Sequence, residues 1–232
     1  AAALMGTVLL LLTGILDVNK AVSYVDFNTI GVLVGMMIFV AVIKHSGLFE
    51  YISIKAAKMA KGDPWKIMVA FMLITAICSA FLDNVTTVLL MGPMTITIAK
   101  MMKIDPIPIL LGQIVASNIG GTMTMIGDPP NIMIGSAADF AFIDFIRNTG
   151  LACVFGLIVV ITGMKFVYKK KLVADEKAIA DIMKLDENKA IADKRLMKIS
   201  IFMIFMVVIA FMVHGAIGIE SSAVALTAAV IM

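Results

Sequence analysis

The 232-residue sequence is poor in charge, aromatic rings, cysteine and histidine, and each scarcity removes a class of function. Only 15% of its residues are charged and the formal net charge is +3, so it has neither the solvated surface of a soluble domain nor the basic excess of a nucleic-acid-binding protein. Its two cysteines, Cys78 and Cys153, lie in separate apolar stretches with no second Cys or His at metal-ligand spacing, and read as small apolar membrane residues. His45 and His214 belong to no HExxH-like cluster and flank apolar segments, which places both at membrane boundaries. The start, Ala1-Ala2-Ala3-Leu4-Met5, lacks an initiator Met, a basic leader and a signal-cleavage pattern, and the end, Val230-Ile231-Met232, stands inside an apolar run. Both ends read as cuts in a longer protein.

What the sequence has in abundance is apolar surface: 61% of residues are hydrophobic and the mean hydropathy is +1.05. The expected fold is therefore an all-α polytopic membrane protein whose partner is the lipid bilayer. Apolar runs predict spans at 1–16, 29–43, 107–126, 150–166 and 196–213, with another starting at Ser221. Residues 67–102 do not fit one span. As a single helix they would run to about 54 Å against a hydrocarbon core of roughly 30 Å, and halved at Asp83-Asn84 each leg is only about 22–25 Å. Two short legs with a polar tip describe a re-entrant helical hairpin.

Charge sets the orientation. With residues 169–195 in the cytoplasm, parity puts 17–28 and 139–148 outside and 44–66 and 100–105 inside. Of the 19 Lys and Arg, only Lys20 and Arg147 then fall outside. Residues 47–61 interleave Leu48, Tyr51, Ile52 and Ile54 with Lys55, Lys58 and Lys61, as suits a helix lying at the cytoplasmic interface. Residues 169–198 mix both signs of charge and read as a partly helical cytoplasmic linker with a solvated face.

Two polar islands interrupt the apolar chain. Asp83 and Asn84, followed by Thr86 and Thr87, are embedded between Phe81-Leu82 and Val88-Leu89, where an ionisable group costs several kcal/mol and implies function, although Asp83 also has good N-cap chemistry. The second island is Ser117-Asn118-Ile119-Gly120-Gly121-Thr122, followed by Ile126-Gly127-Asp128-Pro129-Pro130-Asn131. Its Gly-Gly weakens a helix and its Pro-Pro ends one, so the first half-helix is expected to stop near Asn118, residues 119–130 to unwind near the midplane, and 131–142 to resume as a second half-helix. Opposed half-helix ends then bind ions.

Both islands together resemble the ion transporter superfamily that holds the arsenite permeases, the NhaD-type sodium/proton antiporters, the melanosomal P protein and the divalent anion/sodium symporters, with citrate-transporter-like domains. The match is nearest the arsenite-permease and P-protein branch and covers roughly residues 29–166. The resemblance implies two inverted repeats, each with one re-entrant hairpin and one broken helix. Residues 1–168 would be the first repeat, 169–198 the linker and 199–232 the truncated start of the second, so that a missing second repeat, or a homodimer in its absence, covers the polar tips. It further implies secondary active transport by alternating access, with the site built from Asp83, Asn84, Thr86, Thr87, Ser117, Asn118, Gly120, Gly121, Thr122, Asp128 and Asn131. Na⁺ would sit at Asp83, Asn84 and the Gly120 backbone, or H⁺ would be the coupling ion, and no cofactor is called for. Dicarboxylate-carrying relatives have Ser-Asn-Thr at the hairpin tip where this chain has Asp83-Asn84-Val85. A carboxylate there repels a dianion, which favours a small inorganic ion or a neutral weak acid as substrate over a dicarboxylate taken up with Na⁺. The rival from another class is an intramembrane enzyme using Asp83 and Asp128 as a pair. The location expected is a plasma membrane, the inner membrane of a prokaryote.

Overall fold

The computed structural model describes residues 2–138 and 140–232, Ala216 by its backbone alone. Ala1, at the expected start of the first span, and Asp139, in the expected outer loop, lie outside the described residues. In chain order the helices are α1 (Ala2–Leu12), α2 (Val18–Ser23), α3 (Phe27–Lys44), α4 (Leu48–Met59), α5 (Pro64–Ser79), α6 (Asn84–Met101), α7 (Ile107–Thr122), α8 (Pro129–Ala138), α9 (Phe142–Tyr168), α10 (Glu176–Met183), α11 (Lys194–Val213) and α12 (Ser221–Ile231). Short 3₁₀ turns occupy Glu187–Ala190 and His214–Ile217, and no strand occurs among the described residues. Aspartates start many of these helices by accepting the free first-turn amides: Asp26 for α3, Asp63 with Pro64 for α5, Asp83 for α6 and Asp193 for α11.

Helices α3, α9 and α11 are long and apolar enough to cross a bilayer. Their outer faces carry large apolar side chains, such as Leu151, Phe155, Phe166 and Phe205, which suits a multi-pass membrane protein. The start of α9 corrects one expectation. Residues 142–148, assigned to an outer loop, are its first turns, because Asp144 Oδ2 accepts the Ala141 N–H at 2.9 Å and fastens the helix start.

Two groups of helices, joined by one shared apolar cluster, make up the bundle. In one, α3 and α12 lie against each other through small residues. A Cβ on Gly31 would stand 2.7 Å from Ser222 Cβ, and one on Gly35 would stand 2.5 Å from the Ala225 backbone. The Asn28 amide ties this pair to α8, donating to Ser136 Oγ and Ser221 Oγ and accepting from the Ser222 N–H. His214, just past the end of α11, is buried beside Phe211 with Nδ1 2.8 Å from the Phe211 carbonyl.

In the other group, the hairpin α5–α6 packs on α7. Gln113 of α7 bridges the two legs inside the apolar interior, accepting from Thr95 Oγ1 at 2.8 Å and donating to Thr75 Oγ1 at 3.2 Å. All three are fully buried, so each polar group meets its partner as a low-dielectric interior requires. The hairpin legs are about 24 and 27 Å long.

The linker is more than a solvated face. Leu172 and Ile182 are buried in the same apolar cluster as Ile67, Phe71, Ile98 and Met102 at the base of the hairpin, and Ala178 is buried as well. Lys58 of α4 donates to Glu187 Oε2 at 2.5 Å and to the Leu185 carbonyl at 3.0 Å. The Ala192 N–H reaches the Ser46 carbonyl at 3.2 Å. Gly47 is left-handed (φ 79°), and a side chain there would strike the Ala190 carbonyl. The linker thus straps α4 to the hairpin base. Ile182→Ala should destabilise this end by about 2–5 kcal/mol, read as a lowered melting temperature. Lys58 and a backbone hydrogen bond hold the Glu187 carboxyl below the usual carboxylate range. A carboxyl lowered on folding stabilises above its unfolded range and loses that contribution as pH falls through its folded value. Acidification should therefore loosen the strap, but less than Ile182→Ala does, because exposed ion pairs are worth little.

Candidate functional site

The two polar islands meet. Ser79 Oγ, at the end of α5, donates to the Ser117 carbonyl at 2.8 Å, and Asn84 Nδ2, at the start of α6, donates to Asn118 Oδ1 at 3.2 Å. Thr124 Oγ1 reaches back to the Ala80 carbonyl and accepts the Gly127 N–H at 3.2 Å. The hairpin tip therefore lies level with Ser117 and Asn118, about 16 Å along α7, half the depth of a roughly 30 Å core. A re-entrant tip requires that depth.

The glycines do different work from that expected. Helix α7 runs unbroken through Gly120 and Gly121 and ends at Thr122, not near Asn118, and α8 starts at Pro129, so the break spans only 123–128. The reason is contact with neighbouring backbone. A Cβ on Gly120 would lie 2.1 Å from the Ala76 carbonyl oxygen, one on Gly121 2.7 Å from the Gly127 oxygen, and one on Gly127 2.6 Å from the oxygens of Gly121 and Ser79. The missing side chains let α5, α7 and the loop touch. That contact sets Gly127, and with it the neighbouring Asp128, against the end of α5, where the chain turns to Asp83.

Asp83 caps α6, with Oδ1 accepting the Thr86 N–H at 2.8 Å, and its Oδ2 has no hydrogen-bond partner among the described residues. One turn along the same face, the Thr87 hydroxyl is fully buried and lacks a partner. Neither Asp83 nor Asp128 joins an ion pair among the described residues; the pairs found are Lys58–Glu187, Lys66–Asp63 and Lys184–Asp181. Beside Asn84 and Asn118 lies a shallow cavity of about 270 Å³ that also takes in Ser117 and Val88.

Other predicted residues brace the site. Asn131 Nδ2 donates to the Gly121, Thr122 and Thr124 carbonyls at 3.3, 3.4 and 2.9 Å, so it closes the frayed end of α7. The Thr122 hydroxyl bonds to its own helix at the Asn118 carbonyl, and its carbonyl accepts Thr149 Oγ1 at 2.9 Å. Several carbonyls at the break, expected to be free for ions, are thus occupied. Ser79, Thr124 and Gly127 belong to the junction yet were absent from the predicted set, although all three stand within or beside the quoted motifs. Asp83, Asn84, Thr87, Ser117, Asn118 and Asp128 remain as an oxygen-rich junction in which Thr87 and Ser117 are buried, Asp83, Asn84 and Asp128 half-buried and Asn118 exposed. Such a donor set suits a hard cation or a proton.

Over residues 1–232 the chain matches the model of the citrate transporter family. It is 41% identical over 205 residues to an uncharacterized transporter of Mycobacterium tuberculosis, covering 88% of this chain and 48% of that protein. To a 46 kDa membrane protein of Mycobacterium leprae it is 36% identical, over 90% of this chain and 48% of the relative. It is also 42% identical to the human P protein over 120 residues, 52% of this chain and 14% of that protein. The chain spans about half the length of the mycobacterial relatives. With a family match along its whole length, two polar islands joined at half membrane depth and transporters rather than enzymes among its relatives, this chain belongs to the citrate transporter family, CitMHS.

Proposed function

We propose that the full-length protein is a secondary active transporter of a small inorganic ion or weak acid, of the arsenite permease or sodium/proton antiporter type, working by alternating access. The observation that carries this reading is the tip junction, where Asn84 meets Asn118, Ser79 meets Ser117 and Asp83 caps α6, with neither Asp83 nor Asp128 in an ion pair among the described residues. Two such charges at that depth need a cation or a proton to balance them, and either would serve as the coupling ion. Na⁺ finds oxygens at Asp83, Thr87 and Asp128, and the linker side is the cytoplasmic face of a plasma membrane.

Uptake of citrate, the substrate in the family's description, is the second reading. Free citrate is repelled by both carboxylates unless each is protonated or cation-loaded, so citrate flux would depend steeply on Na⁺ or pH. Reconstituting the full-length protein in vesicles and imposing Na⁺ and pH gradients separately tests both. Na⁺ or H⁺ flux without citrate supports exchange; flux only with citrate supports symport; saturable flux independent of either gradient sinks secondary active transport.

The 232-residue chain by itself should show no coupled flux in the same assay, since its site is proposed to need a second inverted repeat. Self-association would cover its polar tips, but a parallel homodimer does not restore inverted symmetry. Saturable, gradient-driven flux from the isolated chain would require a complete site within these residues.

A further inference from the structure

Between α4 and α5, away from the tip junction, runs a groove of about 510 Å³. Ala56, Ala60 and Ala70 line it with small side chains, and Leu73 stands at the end away from the linker. Trp65 and Lys66 line it where α5 begins, at the linker end. From Trp65 to Ile74 the groove follows α5 for about 14 Å, close to the depth of one leaflet of a roughly 30 Å core.

Its polar end is open to a ligand. The Trp65 indole N–H donates to no group among the described residues, and the Lys66 side chain is 63% exposed, with Nζ 4.0 Å from Asp63 Oδ2. Asp63 also spends Oδ1 on the Trp65 and Lys66 amides, so it neutralises the ammonium only in part. Nearby lysines are engaged elsewhere, Lys58 by Glu187 and Lys55 by the Tyr51 ring at 5.3 Å, while exposed Lys61 adds positive charge in the α4–α5 turn. A tryptophan and a lysine only partly neutralised by Asp63, above an alanine-lined apolar slot, match a phospholipid: indole and ammonium at headgroup depth, hydrocarbon below.

We infer that this groove binds an anionic phospholipid of the linker-side leaflet, one acyl chain lying along α5 and the phosphate held by Lys66 and Trp65. The test is native mass spectrometry of the full-length protein taken from nanodiscs of phosphatidylglycerol or phosphatidylcholine. Phosphatidylglycerol should be retained in preference. Lys66→Glu should lower its retention about five-fold, Lys66→Arg should preserve it, and Ala70→Phe, which fills the slot, should remove it. If Ala70→Phe proves misfolded, Lys66→Glu with an unchanged melting temperature decides the matter. Retention unchanged by Lys66→Glu overturns the inference. So does the loss of a dimer in Ala70→Phe without any change in bound lipid, which would assign the groove to a second copy of the protein.

Discussion

Gly120→Val is expected to abolish transport by the full-length protein and to lower its melting temperature, while Gly156→Val leaves both near wild type. The first valine would drive a Cβ to within 2.1 Å of the Ala76 carbonyl oxygen and 2.7 Å of its Cα. Both are backbone atoms of α5, which cannot swing aside as a side-chain end can. Overpacking a tight contact costs typically about 1–3 kcal/mol, and here relief requires separating α5 from α7, the pair that positions the tip. At Gly156 nothing lies within 4 Å, and the new methyls point into open space on a long span. Gly121→Val should resemble Gly120→Val more closely than Gly156→Val, since its Cβ would meet the Gly127 oxygen at 2.7 Å. Vesicle flux and thermal melting of the three variants check this. Equal, mild effects at all three positions would show that close approach of α5, α7 and the loop does not hold the site together.

The same glycines mark where reading the sequence stopped. Gly-Gly is a weak helix former locally, and nothing local shows that the Ala76 carbonyl waits opposite; packing overrides propensity, and α7 stays helical to Thr122. The turn between α5 and α6 was legible because length and chemistry agreed: residues 67–102 are too long for one span, and Asp83 supplies the cap where the second leg starts. A helix within residues 47–61 was legible from lysines alternating with apolar residues, and appears as α4. A signal at Gly31 and Gly35 was present but passed over, because glycines four apart in an apolar helix look alike until the partner is known, here Ser222 and Ala225 of α12. Gln113 carried a signal too, as an amide inside an apolar run, and it joins both hairpin legs. In the linker the charges masked a short amphipathic pattern, Ala178 and Ile182, that fastens it to the hairpin base.

Asp83→Asn should reduce ion-coupled flux by about a hundred-fold or more while leaving the fold intact, which separates the two tasks this side chain performs. As a cap, Asp83 gives Oδ1 to the Thr86 N–H, and an asparagine oxygen accepts that bond about as well, so stability should change by no more than about 0.5 kcal/mol. As a charge, it stands one turn from a buried Thr87 hydroxyl that lacks a partner among the described residues, and the amide supplies neither negative charge nor a site for a transported proton. Replacing a full charge by a dipole at this half-buried position should remove several kcal/mol of cation binding, at about 1.4 kcal/mol per ten-fold. Asp83→Ala completes the comparison: it should lose the flux and also about 1 kcal/mol of stability with the cap. The measurements are Na⁺- and pH-gradient-driven flux in vesicles and melting temperature in detergent, on the full-length protein. Flux at the wild-type rate in Asp83→Asn, with unchanged Na⁺ and pH dependence, would leave Asp83 only its cap and move the coupling charge to Asp128 alone.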